Sequence, residues 1–289
     1  MRGKLWYQQS DTEGAVGEEA AFGAGFELPG DRHELTTGFS ELQQNFRPAL
    51  GFANRVAIRE YNAGYRFRMR PKEGRLLRID SAGSYTLVTD LGDRVQSRRL
   101  TAALEAATRT RDVSGLRFEW VTELLDAPFE ISQDILISPG RHDFGSAVLY
   151  VASGDQRAVS GRVDIAVGDF YHGERFGMRA EVNLRPTSRY ALGLLWDQND
   201  IDLSDGSFIT RLAQLRADVA FNNRWAWLNF LQYDDVTDSA GINSRLRWEL
   251  APGREAFFVV NYNFRVEADR SLARRASEIA LKVNYTFRP

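Results

Sequence analysis

The stretch Ile279-Ala280-Leu281-Lys282-Val283-Asn284-Tyr285-Thr286-Phe287 places Ile279, Leu281, Val283, Tyr285 and Phe287 on one parity and Ala280, Lys282, Asn284 and Thr286 on the other. A repeat of two is the mark of a strand whose faces meet different surroundings, and it is incompatible with a helix of 3.6 residues per turn. Working upstream, Phe258, Val260, Tyr262 and Phe264 oppose Asn261 and Asn263, and Leu246, Trp248 and Leu250 oppose Asn243, Arg245, Arg247 and Glu249. Leu215, Ala217, Val219 and Phe221 oppose Gln214, Arg216 and Asp218. Phe176, Met178, Ala180, Val182 and Leu184 oppose Arg179, Glu181, Asn183 and Arg185. The alternation continues through Val159 to Val167, Leu116 to Leu124, and Tyr65, Phe67 and Met69 set between Arg66, Arg68 and Arg70. Sheet therefore covers most of the chain. Thr101 to Thr108, rich in alanine, is the best local helix former, but its alternating flanks make it a strand as well.

Counting these segments gives roughly 14 to 16 strands, many reaching the ~9–11 residues of a tilted membrane-crossing strand rather than the ~5–6 of an ordinary soluble one. From about residue 145 the connections alternate in kind. Ser153-Gly154-Asp155, Pro186-Thr187-Ser188, Asn222-Asn223 and Ala251-Pro252-Gly253 read as compact turns. Asp169 to Glu174, Asp197 to Gly206, Asp234 to Gly241 and Val266 to Arg275 read as longer polar loops. That asymmetry suits an outer-membrane barrel, with Phe287 on the tight-turn side. Leu91-Gly92-Asp93 is short where a long loop is expected. No Pro- or Ser-rich linker and no charge block divides the chain, so residues 1–289 read as one domain.

Composition narrows the function. The 289 residues carry 37 Lys plus Arg against 39 Asp plus Glu, a net charge of −2, which supplies no electrostatic pull toward nucleic acid. Cysteine is absent, which removes disulfides, thiol nucleophiles and Cys-ligated metals. No window approaches the ~20 apolar residues of a membrane helix, a fact that leaves a strand-built membrane protein untouched. Met1 to Tyr7 is not followed by the apolar core of a secretory signal.

A soluble sandwich also alternates, so the choice of a membrane rests on two further features. The apolar parity is expected to carry aromatics near strand ends, Tyr61, Tyr65, Trp120, Tyr150, Tyr190, Trp225, Trp227, Tyr233, Trp248, Tyr262, Tyr285 and Phe287, as two interfacial girdles require. The opposite parity is dense in charge: Arg66, Arg68, Arg70, Arg162, Asp164, Arg179, Glu181, Arg216, Asp218, Arg245, Arg247, Glu249 and Lys282. In a closed sheet these residues line a lumen, either open to polar solutes or filled by ion pairs. The expected fold is an all-β, antiparallel transmembrane barrel. Ile279, Leu281, Val283, Tyr285 and Phe287 are expected to form its assembly signal, with the lipid bilayer and the barrel-assembly machinery as partners.

No catalytic, cofactor or metal site is predicted, and no enzyme. His33, His142 and His172 lack partners at metal-binding spacing, and His172 with Asp169 and Glu174 reads as loop polarity. Asp197, Asn199, Asp200, Asp202 and Asp205 resemble a calcium loop but place Asp205 where Gly is required, so a solvated external loop is expected. Gly23-Ala24-Gly25 sits in an alternating stretch and relieves strand crowding rather than cradling phosphate.

Several stretches resemble the family called domain of unknown function 5916, a C-terminal region of outer-membrane proteins in Gram-negative bacteria. They are Asn45 to Arg55, Ile131 to Gly140 with Pro139-Gly140-Arg141, Gly168 to Gly173, Asn229 to Asp234, Gly241 to Trp248, and Lys282 to Pro289. The resemblance spans nearly the whole chain. It implies the C-terminal barrel of a longer protein, whose upstream part would hold a signal peptide and a carbohydrate-binding module, and it brings no established activity. A polar, porin-like pore, or an anchor and exit port for that module, is the expected function. The alternative is a soluble β-rich domain that binds or hydrolyses glycans.

Overall fold

The computed structural model describes residues 1–286 apart from 12–13, 15–16, 49–50 and 268–270. Every regular element in them is a strand. In chain order these are β1 (Arg2–Gln9), β2 (Ala20–Leu28), β3 (His33–Leu42), β4 (Ile58–Met69), β5 (Leu76–Asp90), β6 (Val95–Thr108) and β7 (Val113–Leu125). A short pair follows, β8 (Phe129–Ser132) and β9 (Ile135–Ile137). Then come β10 (Gly140–Ala152), β11 (Val159–Phe170), β12 (Gly173–Thr187), β13 (Tyr190–Leu203), β14 (Gly206–Ala220) and β15 (Trp225–Asp234). The chain ends with β16 (Ser239–Ala251), β17 (Arg254–Val266) and β18 (Leu272–Tyr285).

Sixteen of these strands form one sheet in sequence order, β7 passing directly to β10, while β8 and β9 pair only with each other. Each neighbouring pair is antiparallel. The all-β, antiparallel expectation holds, and Thr101 to Thr108 lies within β6. The sheet is not closed: β1 pairs only with β2, and β18 only with β17. Because the strand number is even, both free strands have their terminal ends at one edge of the sheet, here called the terminal edge.

Register keeps one parity on one face through the body of the strands, with shifts only near strand ends, at Leu184/Thr187, Glu249/Ala251, Asn263/Phe264, Leu76/Arg78 and Val88/Thr89. Tyr61↔Leu87, Tyr85↔Leu100 and Leu100↔Trp120 carry the apolar face across the first half. Val163↔Ala180, Leu194↔Leu215, Trp227↔Leu246 and Phe258↔Leu281 carry it across the second. No second protein layer covers that face among the described residues, since Leu149, Leu194, Phe258, Leu281 and many of their neighbours are exposed. Val283 is 69% exposed and Tyr285 48%, so neither is packed beneath another part of the chain.

One expectation is corrected. The long loops foreseen at Asp169 to Glu174, Asp197 to Gly206 and Asp234 to Gly241 are strand over at least half of their length, joined by connections covering only residues 171–172, 204–205 and 235–238, and in that foreseen at Val266 to Arg275 the residues from Leu272 onward belong to β18. Their polarity does not mark the end of pairing. It marks where the hydrogen-bonded ladder runs past the apolar belt, so that Asp169, Glu174, Asp200 and Asp202 replace apolar side chains on that face while the strands continue.

Candidate functional site

Two surfaces carry the chemistry of this chain: the charged face of the sheet and the band that bounds its apolar face. On the charged face, β4 presents three arginines in succession, each matched to a carboxylate. Arg66 pairs with Glu34, Arg68 makes two bonds to Asp80 at 2.6 and 2.9 Å, and Arg70, just past β4, bonds Asp31 through Nε at 2.9 Å. Arg78 joins the chain by bonding Asp80 and, at 2.7 Å, Glu105. Farther along, Arg162 forks onto Asp164 at 2.8 and 2.6 Å, Arg179 bonds Asp197 at 3.1 Å, and Arg216 bonds Asp218 at 2.7 Å. Arg247 bridges Glu249 at 2.6 Å and Glu255 at 3.1 Å, and Glu181 accepts from Asn183 at 2.9 Å. Arg245 instead lies over the Phe257 ring at 6.0 Å, and Lys282 stands opposite Phe257 in the register. All thirteen charged residues singled out in the sequence thus share one side, twelve on strands and Arg70 just beyond one.

Geometry adds members that the sequence reading passed over. Arg99 bonds Glu119 at 2.7 Å on the same face. Arg117 also faces this side and makes no hydrogen bond or ion pair among the described residues. Tyr150 lies over Gly115 and donates to Glu105 at 2.9 Å, while Arg162 sits over its ring at 4.7 Å. Parity alone identifies Arg117 and Glu119, since they oppose Leu116, Phe118 and Trp120. This corrects the expectation of Tyr150 in the apolar-face girdle: its parity is that of Asp164 and Gly115, and its bond reaches across an entire strand to Glu105.

The apolar face is a belt of limited height. Tyr61 to Met69, Val159 to Val167 and Phe176 to Leu184 each carry apolar or small side chains at alternate positions. At ~3.3 Å per residue such a run covers about 26 Å along the strand, the reach of a tilted bilayer-crossing segment. The belt begins beside the terminal edge. On the far side it stops at charge on the same face: Arg59 with Glu41 (2.8 Å) and Asp93 (2.6 Å), Arg98 with Thr122 (2.7 Å), and Arg141 with Asp143 (2.8 Å). Asp169, Glu174, Asp200 and Asp202 continue this boundary across β11 to β13. Within the belt, the polar groups satisfy one another. Trp227 Nε1 donates to Ser244 Oγ, which donates to Asn229 Oδ1, both at 2.8 Å.

Where the charged face reaches the far edge it turns apolar. Leu125, Phe170, Ile201, Leu203 and Phe208 occupy positions whose parity elsewhere holds Arg, Asp or Asn. The β8–β9 hairpin, carried by residues 126–139, folds onto them, so that Ile137 is fully buried and Ile135 nearly so. Burying an isoleucine contributes about 1.5–3 kcal/mol, so the docking is a defined attachment rather than a loose loop. Tyr171 seals one side by donating to Glu123 at 2.7 Å. Burial, with Glu123 as acceptor, pushes its phenol well above the ordinary value.

The remaining sequence candidates do not assemble. His33 bonds Tyr65 at 2.7 Å, His142 bonds the Ser138 carbonyl at 2.9 Å, and His172 lies 3.6 Å from Asp205. No cluster of three metal-ligating side chains occurs among the described residues. Asp197 to Asp202 lie on β13 and point alternately to its two faces, which corrects the loop expected there: extended backbone cannot wrap a cation. Of the residues expected to form an assembly signal, Ile279, Leu281, Val283 and Tyr285 lie on the apolar face of β18, while Phe287 falls outside the described residues. Gly23 lies beneath Trp6, a crowding relief of the expected kind.

No protein-family model matches the sequence, and no curated protein matches it significantly.

Proposed function

We propose that this chain is an outer-membrane β-barrel without enzymatic activity, forming a polar, porin-like pore or the anchor and exit port of a surface carbohydrate-handling module. The observation that carries the reading is the bounded, uncovered apolar face. A sixteen-stranded sheet with large hydrophobic side chains open on one side has to be covered, and a belt of about 26 Å ending in paired charge fits hydrocarbon better than a second sheet. The mutually bonded Trp227, Ser244 and Asn229 support it too, since no water is available there to satisfy them.

The lumen is then the charged face, lined by Arg66, Arg68, Arg162, Asp164, Arg179, Glu181, Arg216, Asp218, Arg245, Arg247, Glu249 and Lys282, with Arg70 at its terminal rim. Asp31, Glu34, Asp80, Glu105, Asp197 and Glu255, ion-paired to arginines of this face, offset its excess of cations, so the wall stays hydrated without a strong bias in net charge. The two free strands run antiparallel to each other, so pairing of β1 with β18 would continue the ladder and remove both edges. The segment ending at Phe287 serves as the signal to the barrel-assembly machinery. The resemblance to domain of unknown function 5916 is what links the barrel to a carbohydrate-binding module upstream.

Electrophoresis of the detergent-folded protein with and without boiling tests the barrel. A heat-dependent change in migration is expected, and its absence, together with a monodisperse protein in detergent-free buffer, would return the chain to the soluble glycan-binding alternative. Conductance in a planar bilayer then separates an open pore from a closed anchor.

A further inference from the structure

We infer that the β8–β9 hairpin is the element that restricts passage at the far mouth of the lumen, a deepening that rests on the barrel reading above. The sequence prepares a place for it. Leu125, Phe170, Ile201, Leu203 and Phe208 break the polar parity of β7, β11, β13 and β14 where the hairpin lands, and they take Ile135 and Ile137 against them. A connection that merely joined β7 to β10 would need no such site, because those two strands already pair directly from Leu125↔Gly140 onward.

The reach of the hairpin is what makes it restrictive. It leaves β7 and contacts residues of β11, β13 and β14, so it crosses the sheet in front of β10 and β12 instead of rising from the edge. It does so on the face that carries the charges, the interior of a closed sheet. Gly206, at φ +149°, keeps the approach open, since a Cβ there would stand 3.1 Å from Ile135 Cδ1. The pairing Glu130↔Leu136 lies on the opposite side of the hairpin from the docked isoleucines, and both residues are exposed. These two side chains face the remaining aperture. The attachment is fixed by packing, so the hairpin sets a standing size limit rather than a gate that swings.

The test uses the full chain reconstituted in planar bilayers, with heat-dependent migration confirming that each variant is folded. Replacing residues 128–138 by a short Gly-Ser linker leaves the β7–β10 ladder intact and is expected to raise conductance by about twofold or more. Leu136→Trp, on the side away from the wall, keeps the docking and is expected to lower it. A silent wild type that conducts once the hairpin is removed also supports the inference, with the restriction complete. Conductance that is present but unchanged in both variants would overturn the role of the hairpin and leave the pore standing. If neither the wild type nor the shortened protein conducts, the pore reading fails, and this inference with it.

Discussion

Tyr150 on β10 donates its phenolic proton to Glu105 on β6 across the whole width of β7, passing over Gly115 at 2.9 Å donor-to-acceptor distance. The strand between them must be bare at that point, because a Cβ on Gly115 would lie 2.3 Å from the Tyr150 ring. Gly115→Ala is therefore expected to lift the ring away from both Glu105 and Arg162. Losing a hydrogen bond to a charged group costs about 1.5–3 kcal/mol, and Tyr150→Phe should lose the same bond without the clash. Denaturant unfolding in detergent checks this. The two substitutions together should cost less than their sum, because one contact is removed twice; simple additivity would show that Gly115 is not there for Tyr150.

A second expectation concerns the apolar face. Ser244 Oγ accepts from Trp227 Nε1 and donates to Asn229, which in turn donates to the Ala217 carbonyl, a chain of bonds on the apolar belt. Ser244→Ala leaves the indole N–H and the Asn229 side-chain oxygen without that partner, while the Asn229 amide still donates to the Ala217 carbonyl at 3.1 Å. In hydrocarbon such a bond contributes about 0.6–2 kcal/mol. The loss should therefore be larger in lipid vesicles than for a comparable serine on a water-facing strand end. Equal loss at both sites would argue that water reaches this face.

Much of this arrangement was readable from period two alone. Leu116, Phe118 and Trp120, or Phe176 to Leu184, assign every neighbour to a face, and a shift by one residue would reverse the whole strand, so the pattern is strongly constrained. Strand ends were less legible. Asp197 to Asp205 reads as a loop because Asp200 and Asp202 put charge on the parity that is apolar up to Trp196, yet the backbone ladder persists to Leu203. The hairpin was hidden for a different reason. Ile201, Leu203 and Phe208 look like ordinary strand residues until their parity is compared with Asp197 and Arg216. Their partner, Ile135 to Ile137, is distant in sequence and too short to stand out. The open ends of the sheet were not legible either, because whether a first strand pairs with a last one leaves no local trace.

A third prediction concerns acid. Asp112, in the turn between β6 and β7, accepts from Arg157 at 2.8 Å, from the Gly154 backbone N–H at 3.0 Å and from Thr110 at 2.9 Å, tying two neighbouring turns of the terminal edge together. The Arg157 guanidinium, then the two other donors, hold its carboxyl far below the usual range. A group whose pKa is depressed by folding stabilises the protein fully above its unfolded value, ~3.9 for aspartate, and loses that contribution as pH falls toward the folded value. The midpoint of thermal unfolding should thus fall between about pH 5 and pH 2, and Asp112→Asn should remove part of that slope. An unchanged slope in the variant would place the acid sensitivity elsewhere.

The most demanding prediction sets two adjacent residues of β11 against each other. Val163 stands at the middle of the run from Val159 to Val167 on the apolar face, opposite Ala180, while its neighbour Arg162 points the other way onto Asp164. If hydrocarbon covers the first, Val163→Arg must bring a guanidinium to mid-belt, at about 2–4 kcal/mol for a lipid-facing position near the midplane. Arg162→Val removes one member of an ion pair on the hydrated face and should cost less, the main loss being its contact with Tyr150. The pair is therefore predicted to be asymmetric when refolded into vesicles. Val163→Arg should fold in low yield and lose its heat-dependent migration, whereas Arg162→Val should fold and insert. The asymmetry should also fade in the first and last alternate positions of the belt, where a long side chain can extend to water. Tolerance of arginine at position 163 equal to that at 159 would mean that water, not lipid, lies over the middle of this sheet.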